Sequence, residues 1–187
     1  MDRPLRKDAA ERRHALLAAA RLVFRDEGVD APLDRVAEVA GVGRATLYRN
    51  FPGRTDLALA VLTEDVEALS AAFAHEDGPD AFPCFLTRLS ALIVANRAVA
   101  GVVYATPAAE IIRPLRAAIA AAGAGPLRAS QEAGRVRADL TPADLRLLAA
   151  MLGAGLNNAT PEERPRLAAR SLDLVLDAVR PQPEPTA

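Results

Sequence analysis

Apolar residues recur along this chain at helical spacing, and glycine and proline cut the recurrence into segments. Leu16, Ala20, Val23 and Phe24 fall at i, i+4, i+7 and i+8, one face of a 3.6-residue helix. Leu62, Val66, Leu69 and Phe73 repeat the spacing, and Phe82, Phe85, Leu86, Leu89, Leu92 and Ile93 make a broad apolar face. Residues that favour strands are scarce: 14 Val and 4 Ile stand against 25 Leu and 42 Ala, with no Trp. Alanine has the highest helix propensity and buries little surface. An all-β fold is excluded. A net charge of -1 with plentiful leucine also argues against disorder. The prediction is an all-α chain, folded as one unit or as two small helical domains.

The punctuation divides the chain into about nine helices. The first covers about 8–27 and ends at Gly28. Pro32 opens a second, with Asp34 at its positive end and Leu33, Val36, Ala37 and Ala40 as its buried stripe. A third covers about 43–50 and is broken by Pro52-Gly53. Longer helices are predicted over about 54–75, 80–96, 108–133, 141–157 and 161–179, with a short one inside 99–106. Gly123, Gly125 and Pro126 predict a kink or split at 123–126. Thr141-Pro142 reads as an N-cap followed by an N1 proline. Residues 1–8 read as a mobile basic arm with Arg3, Arg6 and Lys7, and 181–187 as a proline-rich disordered tail. The plan is a three-helix module over 1–55 on a helical body over 56–180.

Composition removes most chemistries. One cysteine, Cys84, cannot form an internal disulfide, and its place on an apolar face predicts a buried, inert thiol. Two histidines, His14 and His75, cannot build a histidine-rich metal site. His14 is expected to be exposed and His75 to sit at a helix end. No apolar run approaches the roughly 20 residues of a membrane span, and the charged N-terminal turns lack a signal-peptide core. A cytoplasmic, nucleoid-associated protein without membrane contact is expected. The serines, at 70, 90, 130 and 171, lie outside any Gly-x-Ser-x-Gly elbow, and no phosphate loop or His-Glu metal signature occurs. No enzyme activity, cofactor or metal is expected.

What remains is binding, and its signal lies at 36–51. Two short helices meet through a tight turn containing Gly41, as a helix-turn-helix requires. Ala37 must be small where the helices cross, and Gly41 can take the positive φ of the reversal. Val42, Leu47 and Phe51 are the expected anchors of the second helix. Gly43, Arg44, Ala45, Thr46, Tyr48, Arg49 and Asn50 then point outward, a face without an acid. Such side chains hydrogen-bond phosphates and base edges. The overall charge hides this: residues 1–60 carry +2 and the rest -3, and no acid lies between Glu38 and Asp56.

These residues resemble the TetR family of bacterial transcriptional regulators. The resemblance rests on Ala19, Ala20, Phe24 and Gly28, on Ala37, Gly41 and Val42, on Thr46, Leu47, Tyr48 and Phe51, and on Arg54, Leu57 and Val61. It covers about residues 10–62. Gly-Arg-Ala-Thr-Leu-Tyr-Arg followed by Phe-Pro is similar to an actinobacterial-type subgroup. Three positions depart from the pattern: Gly43 stands where serine is frequent, Asn50 where histidine is common and Arg54 where lysine is usual.

The resemblance implies a homodimer on double-stranded DNA, at a palindromic operator, released by a small-molecule effector. Thr46, Tyr48, Asn50 and Arg54 would grip phosphates, with Gly43 at the helix start; Arg44 and Arg49 would reach bases. Leu145, Leu148, Leu152, Leu172, Val175, Leu176 and Val179 read either as internal core or as half of a dimeric four-helix bundle, and the resemblance makes them the candidate dimer interface. Phe82, Phe85, Leu89, Tyr104, Ile111, Leu115, Met151 and Asn158 are candidate lining residues of a mainly apolar effector pocket, and each also reads as ordinary core. Two alternatives stay open: a helical interaction protein that has lost DNA binding, and an activator in place of a repressor.

Overall fold

The computed structural model describes residues 3–104, 109–156 and 159–181, and side chains over 8–101, 110–156 and 159–181. Among the described residues are nine α-helices, one 3₁₀ turn and no strand. The helices are α1 (Arg3–Asp26), α2 (Leu33–Val39), α3 (Arg44–Asn50), α4 (Arg54–Ala72), α5 (Ala81–Ala95), α6 (Arg97–Tyr104), α7 (Ala109–Glu132), α8 (Leu145–Ala154) and α9 (Arg164–Ala178). The 3₁₀ turn, Pro142–Asp144, leads into α8. No described helix is long and apolar enough to cross a membrane.

Several expectations need correction. The arm expected over 1–8 is helical from Arg3 onward, because no glycine or helix-breaking proline follows Pro4 to stop α1 from starting early. Of the kink or split expected at 123–126, the split does not occur: α7 is one helix containing Pro114 and Pro126. Leu115, Ala122, Pro126 and Leu127 are buried along it, and burial outweighs weak local propensity. The helix expected over 141–157 is a 3₁₀ turn followed by the shorter α8, and the last helix starts three residues beyond Pro161. Cys84 is exposed rather than buried, since Phe82, Phe85 and Leu86 take the inward side of α5. The tail lies outside the described residues beyond Pro181.

The chain divides into two compact units, Met1–Glu64 with Ala98–Ile112 and Asp65–Arg97 with Arg113–Ala187; the division falls inside α4 and α7. A third boundary, between Arg97 and Ala98, falls inside α6. In the first unit, α1 packs on α2 and α2 on α3. Its buried residues include Leu16, Ala20, Val23 and Phe24 of α1, Val36 and Ala37 of α2, Leu47 of α3, and Leu57, Ala58 and Val61 of α4. Arg21 of α1 is paired with Glu64 of α4 at 2.7 Å, and exposed His14 reaches the same carboxylate at 3.3 Å. Partial burial of Glu64 works to raise its pKa, but the bonds from Arg21 and His14 outweigh it and hold the carboxyl below its ordinary value.

In the second unit, α5, α8 and α9 pack on one another. Its core joins Leu69, Phe73, Phe82, Phe85, Leu86 and Leu89 to Ala122, Leu127, Leu145, Leu148, Leu152, Val175 and Val179. Phe73 meets Phe85 edge-on at 5.4 Å between ring centroids, an arrangement the ring quadrupoles favour. A Cβ at Gly123 would stand 2.6 Å from Leu145 Cδ1 and 2.9 Å from Phe85 Cε1, so only glycine lets α7 pass this close. Seven residues on, buried Ser130 accepts the Phe82 N–H at 2.9 Å. This bond caps α5 from α7, since the N-cap residue Asp80 makes no side-chain capping bond and its carboxylate pairs with Arg135 instead. Ser130→Ala leaves that N–H buried without a partner, at a cost of about 1–3 kcal/mol. The expected outcome is a lower midpoint in thermal unfolding followed by circular dichroism.

Candidate nucleic-acid interface

The turn between α2 and α3 is held by its own backbone. Val42 N–H donates to the Ala37 carbonyl and Gly41 N–H to that of Glu38, each at 3.0 Å. Gly41 has φ +66, and a Cβ there would meet nothing within 4 Å. Conformation, not space, therefore demands the glycine. Gly43 is the N-cap of α3, extended and without a side-chain cap. Its carbonyl accepts the N–H groups of Thr46 at 2.9 Å and Leu47 at 3.2 Å.

Leu47 and Phe51 are buried, Ala37 is buried beneath them in α2, and Val42 is half-buried. The guanidinium of Arg13 lies over the Phe51 ring, 4.7 Å from its centroid. With those two side chains turned inward, Arg44, Ala45, Tyr48 and Arg49 are exposed and Thr46 and Asn50 half-buried. Tyr48, at 46% exposure, is not a core aromatic. Asn50 Nδ2 donates back to the Thr46 carbonyl at 2.8 Å, and Arg49 reaches Thr46 Oγ1 at 3.4 Å. Both bonds stay within α3 and hold the two side chains along the helix.

Two arginines have partners within the chain that the sequence does not suggest. Arg54, expected at a phosphate, donates to the carbonyls of Val29, Ala31 (2.8 Å) and Asp30 (3.4 Å). Its guanidinium satisfies the orphan carbonyls of the α1–α2 connection, which has no other cation aimed into it among the described bonds. Arg44 is exposed but not free: its Nη2 lies 2.6 Å from Asp34 Oδ2. Sequence reasoning treated Asp34 as a helix-dipole residue only. No local signal marks the pairing, because the two residues meet only when α2 and α3 cross.

In the body, the expected pocket and dimer residues separate. Phe82, Phe85, Leu89 and Leu115 are buried, Ile111 is half-buried, and Met151 is 48% exposed. The side chain of Tyr104 and all of Asn158 lie outside the described residues. Of the two readings of the α8 and α9 residues, the internal one fits the second unit: Leu145, Leu148, Leu152, Val175 and Val179 are buried in its own core, with Leu172 and Leu176 packed against it. The large apolar side chains left outward on α8 and α9 are Leu147, Met151 and Leu174. A cleft of about 510 Å³, lined by Asp80, Pro83, Gly134, Arg135, Leu176, Val179, Arg180 and Pro181, contains none of the expected pocket residues.

A two-turn helix anchored at Leu47 and Phe51, entered through a positive-φ glycine and showing arginine and tyrosine outward, defines a helix-turn-helix DNA-binding regulator. Comparison with known proteins makes this particular. Residues 16–61 match the model described as bacterial regulatory proteins, tetR family. Residues 77–181 match that of the SbtR-like transcriptional regulator C-terminal domain. The chain belongs to the TetR family, whose members are transcriptional regulators and not enzymes. A TetR transcriptional regulator of Streptomyces coelicolor is 33% identical, with 91% of this chain and 99% of that one covered and a TM-score of 0.65. A TetR regulatory protein of Mycobacterium vanbaalenii is 27% identical, with coverage of 95% and 99% and a TM-score of 0.67. An HTH-type transcriptional regulator of Staphylococcus aureus (strain bovine RF122 / ET3-1) is 36% identical over 70 residues, 37% of this chain and 38% of that relative. The chain thus matches under two-fifths of the length of its curated relatives.

The place of Arg54 has a measurable consequence. Arg54→Ala removes a charged donor from three carbonyls, and charged hydrogen bonds contribute about 1.5–3 kcal/mol. Urea unfolding should show a loss of stability of that order.

Proposed function

We propose that this regulator binds a palindromic operator as a homodimer, represses transcription there and is released by a small, mainly apolar effector. Residues 1–55 read the DNA, and 56–180 dimerise and take the effector. The protein acts in the cytoplasm, at the nucleoid. The observation that carries this reading is the outward face of α3, where Arg44, Tyr48 and Arg49 are exposed and no acid stands in the helix. Arginine reads guanine O6 and N7 through paired donors, and tyrosine donates to phosphate. Thr46 and Asn50 add phosphate contacts at the edge of the same face, and Gly43 lets the backbone approach the duplex.

Half-sites about 34–36 Å apart suit two such helices on one face of the duplex. Leu147 and Met151, four residues apart on α8, and Leu174 on α9 support the dimer. They are large apolar side chains that the chain's own core leaves in water. The candidate lining residues Phe82, Phe85, Leu89 and Leu115 of the second unit are all apolar, which supports an apolar effector.

Gel-shift titrations against a selected operator and unrelated DNA test the DNA reading. Arg44→Ala should flatten sequence discrimination by about 1–3 kcal/mol per half-site. Tyr48→Phe should weaken binding to all sequences alike, and wild-type affinity should fall steeply with salt. Wild-type behaviour in both variants would show that α3 does not read DNA, and that the chain is a helical interaction protein.

The dimer reading is tested by Leu147→Glu with Met151→Glu. Two charges on a buried apolar contact should raise the dissociation constant at least about tenfold. Sedimentation velocity should then show monomer at concentrations where the wild type is dimeric. A dimer retained in the double variant would move the interface elsewhere.

A further inference from the structure

We propose that Asp34 is a positioning residue for Arg44 and thereby sets the base preference of the regulator. The inference rests on the reading of α3 as the DNA-facing helix and adds to it a residue outside that helix. Arg44 is the first residue of α3, with its side chain 73% exposed. An arginine so exposed samples many rotamers, and base reading requires one. The Asp34 carboxylate, on the first turn of α2, holds Nη2 of Arg44 at 2.6 Å.

The shortest approach of the ion pair is to Nη2. A guanidinium has two two-donor edges, so a carboxylate on one leaves the other. That edge is the complement of guanine O6 and N7.

A second observation sets Asp34 apart. Its Oδ1 is buried and is the buried side-chain oxygen without a hydrogen-bond partner among the described residues. Stability alone does not account for a carboxylate with an unsatisfied buried oxygen. The arrangement makes sense where the other oxygen orients a functional group. The negative charge beside Arg44 also disfavours phosphate nearby, so it lowers affinity for DNA that offers no guanine at that position. Asp34 therefore raises specificity by two routes, through orientation of Arg44 on the right site and repulsion on the wrong one.

The test uses the full-length protein and selection from a random double-stranded DNA pool, followed by titration of the selected site and its single-base variants. In wild type, one guanine per half-site should be preferred by roughly tenfold or more. Asp34→Asn, which keeps shape and removes charge, should reduce the preference at that one position to about threefold or less. Its binding to non-specific DNA should tighten. Arg44→Ala should lose preference at the same position, and the double variant should show the profile of Arg44→Ala alone.

A wild-type profile in Asp34→Asn, with Arg44→Ala flattened, overturns the proposal and leaves the reading of α3 standing. Tighter operator binding with the preference intact in Asp34→Asn also overturns it, since the carboxylate would then only restrain Arg44. An unchanged profile in Arg44→Ala overturns the reading of α3 and the proposal with it. Should Asp34→Asn melt at the assay temperature, Asp34→Ser carries the test: it removes the carboxylate and leaves Arg44 in place, so it should lose the same preference, and retention of the preference in Asp34→Ser overturns the proposal.

Discussion

Seven residues of helix have too few internal hydrogen bonds to persist alone, and α3 is seven residues long. Its existence depends on Leu47 and Phe51, which are buried at positions four residues apart. Everything on its outer face follows from that anchoring. With the two large side chains inside, Arg44, Tyr48 and Arg49 have nowhere to go but outward. Gly41 supplies the reversal that brings the helix to its anchors, and Arg13 covers the Phe51 ring. The same burial that stabilises the helix therefore orients its functional face.

Charge in the first unit is arranged around this helix rather than scattered. Arg54 closes the carbonyls that follow α1, Arg21 and Glu64 tie α1 to α4, and Asp34 holds Arg44. Two of these pairs are scaffold, and one touches the proposed reading residue. The distinction comes from exposure. Arg54 is half-buried with its donors engaged by backbone, whereas Arg44 is exposed and retains donors.

The second unit shows the complementary logic. Alanine and glycine let its helices approach closely, and at Gly123 the approach leaves no room for a single methyl group. Close seams let few large residues fill the interior, so the inward leucines of α8 and α9 are fully engaged in one chain. Leu147, Met151 and Leu174 are left over on the outside. An amphipathic pair of helices with large apolar residues on both sides is suited to two contacts, one internal and one external.

The sequence alone determined the helical class, the positions of most breaks, the turn at Gly41 and the inward pair Leu47 and Phe51. These are local properties: propensity, periodicity and the φ preference of glycine act within a few residues. It did not determine which of two apolar faces on α8 and α9 is internal, because periodicity marks a stripe without naming its partner. Nor did it reveal that Cys84 faces water, that α7 runs unbroken through Pro126, that Arg54 binds carbonyls, or that Asp34 meets Arg44. Each depends on residues far apart in the chain or on which side of a helix is covered. Only the packing of one helix against another fixes those, because hydrogen bonds and burial are settled by neighbours in space.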